Sequence, residues 1–388
     1  MAEKQKTAGE EEKAFEHEDP FTTLNQNLPL REKLRAAHAS LQQIFPEIAR
    51  VAIALYDPQT AVLKTYIDSS GEDNPLHNYQ ALIDDAPSLQ KILEEGRPRV
   101  INNMVTFEDG QHEHTQRIGR QGYAASYTMP MFYNGAFFGF LFFNSYKTDI
   151  FTPENLNHLD MFGHMISLLV INELTTVRTL TAALTSANKL SHLRDPETGS
   201  HLDRMSRFAR VIAAQLATEL DLEDEYIEHV FAFSPLHDIG KLAIPEAILL
   251  KPDKLTEEEE SVMRTHAEKG RELLDEILND FGLKGLNQAD VLRNIAQFHH
   301  ETMDGSGYPE GLRGDNIPLE ARIVAVADIF DALTSARPYK DPWSNKEACA
   351  ALMRMAGEKL DRDCVQALLD NIEQIESIQQ HFRENEFG

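Results

Sequence analysis

In VAIALYD (51–57) Val51, Ile53 and Leu55 take every second position, a period that predicts a half-buried strand. DPQT then predicts a turn into a second strand, AVLKTYI. In YTMPMFYNGAFFGFLFFNSY (127–146) two strand-like runs flank Asn134-Gly135, which is strong hairpin chemistry. FTPENLNHLDMFGHMISLLVINEL follows, with Thr152 as an expected cap and Pro153 in the first helical turn. The helical pattern runs on through TTVRTLTAALTSANKLSHL, where Val170, Leu174, Val177 and Leu184 form a heptad-like stripe with Thr181 and Asn188 in its gaps. Such a stripe pairs two copies in a short coiled coil or packs on its own domain. From about residue 190 onward apolar residues recur at three and four, and the expectation is all helix.

The 388 residues and 42% hydrophobic content suit two domains with proper cores. Residues 1–20 carry Lys4, Lys6 and Lys13 against seven acids and read as a solvated, disordered tail. Neither a signal peptide nor an apolar run of ~18 residues occurs, so no membrane association is expected. Cys349 and Cys364 make no CxxC, which disfavours a disulfide framework or thiolate metal site and fits the cytoplasm. A formal charge of -26 argues against binding nucleic-acid polymers or anionic membranes.

Candidate chemistry begins beyond Arg194. ETGSH sets Glu197 four residues before His201, which is one face of a helix. LHDIGK joins His237 and Asp238 to Gly240 and Lys241; His266 follows, then the pair His299-His300, then Asp328 in the apolar run RIVAVADIFDAL. Each residue alone has an ordinary structural reading. Together they are five histidines and three carboxylates within 132 positions, an N/O ligand set for two or three divalent ions. The absence of thiolates favours Fe or Mn and leaves Zn, Ni and Co open. Adjacent imidazoles point about 100° apart on a helix, so His299-His300 belongs at a helix end or turn. Gly305 and Gly307 then allow a sharp turn, Pro309 stiffens its exit and Tyr308 adds an aromatic wall. His112 and His114 in DGQHEHTQ read as a solvated loop rather than ligands.

These motifs resemble two families. Residues 21–175, with a helix, an antiparallel sheet, a loop-rich middle, a closing hairpin and an exit helix, resemble a GAF domain, an α+β fold that binds small ligands or mediates dimers. ETGSH, HDIGK, His266, HHE…DGSGYPEGLRG and IPLEARIVAVADIFDALTSARPYK resemble the HD-GYP branch of the metal-dependent HD phosphohydrolases over about 190–345. The expected architecture is therefore multidomain: tail 1–20, α+β GAF-like domain 21–175, connecting helix 176–190, and all-α HD-GYP domain 191–388. The resemblance implies a di- or trinuclear centre held by Glu197, His201, His237, Asp238, His266, His299, His300 and Asp328. It implies hydrolysis of cyclic di-GMP to linear pGpG or GMP. Asp238 would bridge two ions and Lys241 would stabilise phosphoryl charge. Tyr308, in the loop Gly307-Tyr308-Pro309, with Arg337 and Lys340, would contact substrate. Regulation by an unidentified ligand of the GAF-like domain, and a homodimer through the connecting helix, are further expectations. Alternatives are a non-catalytic cyclic-dinucleotide sensor and a phosphodiesterase for a related messenger such as mixed GMP-AMP. Thr302 stands where the family often has Arg or Lys, and Ala243 and Glu246 stand where Gly and Asp are frequent; none is an expected ligand.

Overall fold

The structure is a computed structural model that describes residues 17–70, 79–104, 121–191, 199–283, 288–335 and 341–383. Glu197, Arg337, Lys340, His112, His114 and the first sixteen residues of the expected tail lie outside the described residues.

The N-terminal half places α1 (Leu30–Ile44) before the strands β1 (Arg50–Asp57), β2 (Val62–Asp68) and β3 (Gln80–Leu82). Then come α2 (Pro87–Glu95), β4 (Arg99–Ile101), β5 (Ala125–Tyr133) and β6 (Ala136–Ser145). The sheet is antiparallel in the order β3-β2-β1-β6-β5-β4. Asn134 and Gly135 both take positive φ, 49° and 80°, which matches the right-handed twist of the strands they join. β1 departs from the half-buried expectation: Val51, Ala52, Ile53 and Leu55 are all buried. It is a central strand covered on both faces. Leu30, Leu34 and Leu41 of α1 share a core with Val51 and Ile53, while Leu89 and Ile92 of α2 pack with Leu63 and Phe140 on the other side.

Helix α3 (Pro153–Ser191) starts as expected, with Thr152 Oγ1 accepting from the Asn155 N–H at 3.4 Å. Its stripe meets the two cores of the chain itself. Val170 and Leu174 are buried in the core of the sheet domain, and Val177 is buried in the core of the helical half, with Leu184 packed against it. These side chains pack within one chain, because the helix crosses from one core to the other.

The C-terminal half is helical: α4 (Gly199–Leu220), α5 (Asp224–Phe233), α6 (Glu246–Leu249), α7 (Glu257–Arg264), α8 (His266–Asp280), α9 (Ala289–Phe298), α10 (Leu319–Thr334), α11 (Asn345–Met355), α12 (Arg362–Asp370) and α13 (Ile372–His381). Phe208 of α4 meets Phe330 of α10 edge to face, with ring centroids 5.6 Å apart, at the centre of this core. No helix among the described residues is long and apolar enough to cross a membrane.

The halves also meet directly. Arg207 of α4 bonds Asp57 Oδ2 at 2.9 Å, and Lys64 of β2 lies 3.3 Å from Glu228 of α5, which Arg210 holds at 2.7 Å. Burial alone raises the Asp57 carboxyl, but Lys64 and Arg207 outweigh it and bring it to about 2. Burial likewise raises Glu228, and Arg210 and Lys64 bring it to about 2. Burial lowers the Lys64 ammonium to about 8, so the charges coexist below that pH. Both carboxyls titrate lower folded than unfolded. Their contribution to stability is complete above an unfolded value of about 4 and is lost as pH falls toward 2. Acid titration of thermal unfolding should show Asp57→Asn flattening the stability slope in that window; an unchanged slope would mean that the pair contributes nothing.

Candidate metal centre

Five segments converge on one cluster. α4 begins at Gly199 and places His201 in its first turn. A tight 3-10 turn, Ser234–Leu236, leads into His237 and Asp238, and a second, Ile239–Ala243, carries Lys241. Gly240 explains the close fit: a Cβ there would lie 1.9 Å from the His266 carbonyl oxygen and 2.5 Å from the Gly270 nitrogen. Only a bare backbone lets this turn press against α8, and that contact brings His266 beside Asp238. α9 ends at Phe298, so His299 and His300 occupy a helix end, as the divergence of adjacent side chains requires. Asp328 comes from the middle of α10.

The rings are oriented from behind. His237 Nδ1 lies 2.9 Å from the Ser234 carbonyl oxygen, His266 Nδ1 lies 2.8 Å from that of Met263, and His299 Nδ1 lies 2.9 Å from that of Ile295. A ring nitrogen facing a carbonyl must donate, so in the neutral ring each Nε2 turns a lone pair inward. Burial, as the largest cause, lowers the pKa of both His299 and His300, and neighbouring imidazoles add to it. Burial pushes Asp238 the opposite way, but Lys241, His237 and His266 outweigh it and hold the carboxylate well below the usual range. Asp238 Oδ1 is 3.2 Å from His266 Nε2 and 3.6 Å from His299 Nε2, while Oδ2 is 3.2 Å from His237 Nε2 and 2.7 Å from Lys241 Nζ. His201 Nε2 faces Asp328 Oδ1 at 3.7 Å.

Two ligand groups result, Asp238–His266–His299–His300 and His201–His237–Asp328, each with its donor atoms within 4.8 Å of one another. His266 Nε2, His299 Nε2 and Asp238 Oδ1 are buried without a hydrogen-bond partner. Lone pairs facing a carboxylate oxygen are acceptors facing an acceptor, which only a cation resolves without cost. The donor set therefore fits metal, and Asp238 aims one oxygen at each group.

Tyr308 stacks on His300 with ring centroids 4.7 Å apart, and the Arg264 guanidinium carbon lies over the Tyr308 ring, 5.3 Å from its centroid. Gly305 takes φ +75°, whereas Gly307 is needed for space: a Cβ there would lie 2.5 Å from the His300 oxygen and the Thr302 nitrogen. Glu301 reads as an ordinary acid from the sequence alone. Its buried carboxylate accepts from the N–H groups of Glu310, Gly311 and Leu312 at 2.7, 3.0 and 2.9 Å and shapes the whole loop. Asp331, one helical turn beyond Asp328, is no ligand candidate in the sequence, yet its Oδ2 lies 2.7 Å from His201 Nδ1. Thr302 bonds Asp304 at 2.6 Å, and Lys359 brings a cation to the same Asp304 at 2.6 Å.

Residues 193–364 match the family model of the HD domain, and residues 40–170 match that of the GAF domain. The chain carries a GAF domain followed by an HD domain. An HD domain implies divalent metal binding, in keeping with the two ligand groups. The chain is 49% identical over 185 residues to the cyclic di-GMP phosphodiesterase response regulator RpfG of Xanthomonas campestris, a match covering 48% of this chain and 46% of that protein. A cyclic di-GMP phosphodiesterase of Vibrio cholerae is 38% identical over 243 residues, covering 61% of this chain and 49% of that one. The 3'3'-cGAMP-specific phosphodiesterase 2 of the same organism is 40% identical over 178 residues, covering 46% and 32%. The chain thus spans about half the length, or less, of these curated relatives. The HD domain contains every described ligand candidate, and the GAF domain contains none of them.

Proposed function

We propose that this protein hydrolyses cyclic di-GMP to linear pGpG or on to GMP at the HD-domain centre, under the control of its GAF domain. The observation that carries the reading is the convergence of inward lone pairs from His266 and His299 on the Asp238 carboxylate. Two or three divalent ions, Fe or Mn by the all-N/O donor set, would be held by His201, His237, Asp238, His266, His299, His300, Asp328 and Glu197. Such ions supply Lewis acidity at a phosphate oxygen and make water acidic enough to attack at neutral pH. The chain's residues do the rest. Lys241, fixed at 2.7 Å by Asp238, sets a positive charge at the edge of the centre for the phosphoryl oxygens. Tyr308 walls one side of the site against His300, and Glu301 holds the loop that carries it. Arg337 and Lys340 are proposed to meet the second phosphate or a guanine edge.

The 40% identity to a 3'3'-cGAMP-specific enzyme makes that dinucleotide the necessary competitor in the assay. The full chain, purified without oxygen and loaded with Mn or Fe, should hydrolyse cyclic di-GMP with a larger kcat/KM than 3'3'-cGAMP. Turnover of neither, with binding retained, would make it a sensor; a preference for 3'3'-cGAMP would change the substrate and keep the chemistry. Glu197→Gln tests the number of ions. Its loss should remove about one metal equivalent and make pGpG accumulate, because a hard ligand beside His201 suits a third cation. If metal content and products stay unchanged, the centre is dinuclear and Glu197 is a helix cap worth no more than ~1 kcal/mol.

A further inference from the structure

Helix α4 carries His201, Arg204, Arg207 and Arg210 at intervals of three. A step of three falls 60° short of a full turn, so this row winds around the helix from the metal centre toward the GAF domain. At the inner end Arg204 clamps Asp331, Nε to Oδ1 at 2.7 Å and one terminal nitrogen to Oδ2 at 3.0 Å. Asp331 in turn holds His201 Nδ1 at 2.7 Å, and Ser335 Oγ bonds both Asp331 Oδ2 at 2.9 Å and Arg204 at 2.7 Å. At the outer end Arg207 bonds Asp57 and Gln59 of the GAF domain. Phe382 touches both arginines: its carbonyl oxygen accepts from Arg204 at 3.1 Å, and its ring lies 4.3 Å from the Arg207 guanidinium carbon.

We propose that Asp331 and Arg204 are positioning residues for His201, and that Phe382 and Arg207 tie that position to the surface of the GAF domain. The proposal rests on the metal-centre reading above. His237, His266 and His299 are oriented by carbonyls three or four residues back in their own segments, so each ring moves with its own backbone. His201 is oriented by a side chain on another helix, α10, which also carries Asp328. The aim of its Nε2 toward Asp328 therefore depends on how α4 sits against α10. The GAF domain grips α4 at Arg207, six residues or about 9 Å along the helix from His201. A shift of the β1 end at Asp57 reaches the ligand group through this row without passing through α3. A carboxylate behind an imidazole also makes it a better metal donor, which distinguishes the His201 group from its neighbour.

The test is cobalt titration of the metal-stripped full chain, followed by visible absorption and equilibrium dialysis. Asp331→Asn should weaken one ion about 10–100-fold and alter only its absorption bands, while the other ion binds as in the unmodified chain. Ser335→Ala, which keeps the carboxylate, should act on the same ion more mildly and carries the test if Asp331→Asn does not fold. Phe382→Ala and Asp57→Asn, which touch no ligand candidate, should weaken that same ion several-fold. Unmodified affinity and spectra for both ions in Ser335→Ala and in a folded Asp331→Asn would overturn the positioning roles. An unmodified titration in both Phe382→Ala and Asp57→Asn would overturn the tie to the GAF domain. Failure of the unmodified chain to take up cobalt would instead remove the metal-centre reading, and this proposal with it.

Discussion

Asp238→Asn is expected to strip the protein of its divalent ions and to lower turnover more than about a thousandfold, since metal assistance is worth several kcal/mol of transition-state stabilisation. Asp238 aims one oxygen at His266 and His299 and the other at His237 and Lys241. Asparagine keeps the volume and removes the charge. It also turns an N–H donor toward lone pairs that would otherwise face a cation, so the variant satisfies His266 and His299 while dismissing the metal. The fold should survive, because Ile239 and Leu236 on either side remain buried in the helical core. Elemental analysis and turnover of cyclic di-GMP are the measurements. A variant that retains both ions, or retains activity, would show that Asp238 is not the shared ligand.

Glu301→Ala is expected to lower kcat/KM about a hundredfold, the scale of a displacement of about 1 Å in a positioned group. The carboxylate accepts from three consecutive N–H groups, at Glu310, Gly311 and Leu312. Losing it leaves three donors to find water, each at a cost of about 1–3 kcal/mol where they stay buried. The loop containing Tyr308 should loosen, so amide hydrogen exchange at 310–312 should speed up, while metal content stays close to that of the unmodified chain. That separation of metal binding from turnover distinguishes loss of loop shape from loss of the centre. Equal exchange and equal kcat/KM in the two proteins would leave Glu301 without a functional role.

Local chemistry made much of this molecule legible. Asn134-Gly135 demanded a hairpin because both positions need positive φ, and Thr152-Pro153 demanded a helix start. His299-His300 demanded a helix end because neighbouring side chains diverge on a helix, and α9 stops at Phe298. These outcomes depend on a few adjacent residues, so no distant partner had to be known. Residue types and their order also pointed to divalent metal, since histidines and carboxylates without thiolates leave few other uses for so many ligands.

What the chain alone left open depends on distant packing. Alternation at Val51, Ile53 and Leu55 reports one apolar face, but Ala52 on the other face is buried as well, on the side where α2 packs on Leu63 and Phe140 of the flanking strands. The stripe on α3 suits a second copy or a neighbouring core equally, because burial looks the same from sequence whichever surface provides it; the chain's own two cores cover it. Asp331 looks like an ordinary acid until α4 arrives beside it from 130 residues away, and Glu301 until the backbone of Glu310, Gly311 and Leu312 folds back over it. The division of ligands into two groups and the place of Asp238 between them are likewise matters of geometry. Sequence determined which atoms were available to a metal. Tertiary structure decided which lone pairs point at one another, because orientation is set by hydrogen bonds made on the far side of each ring.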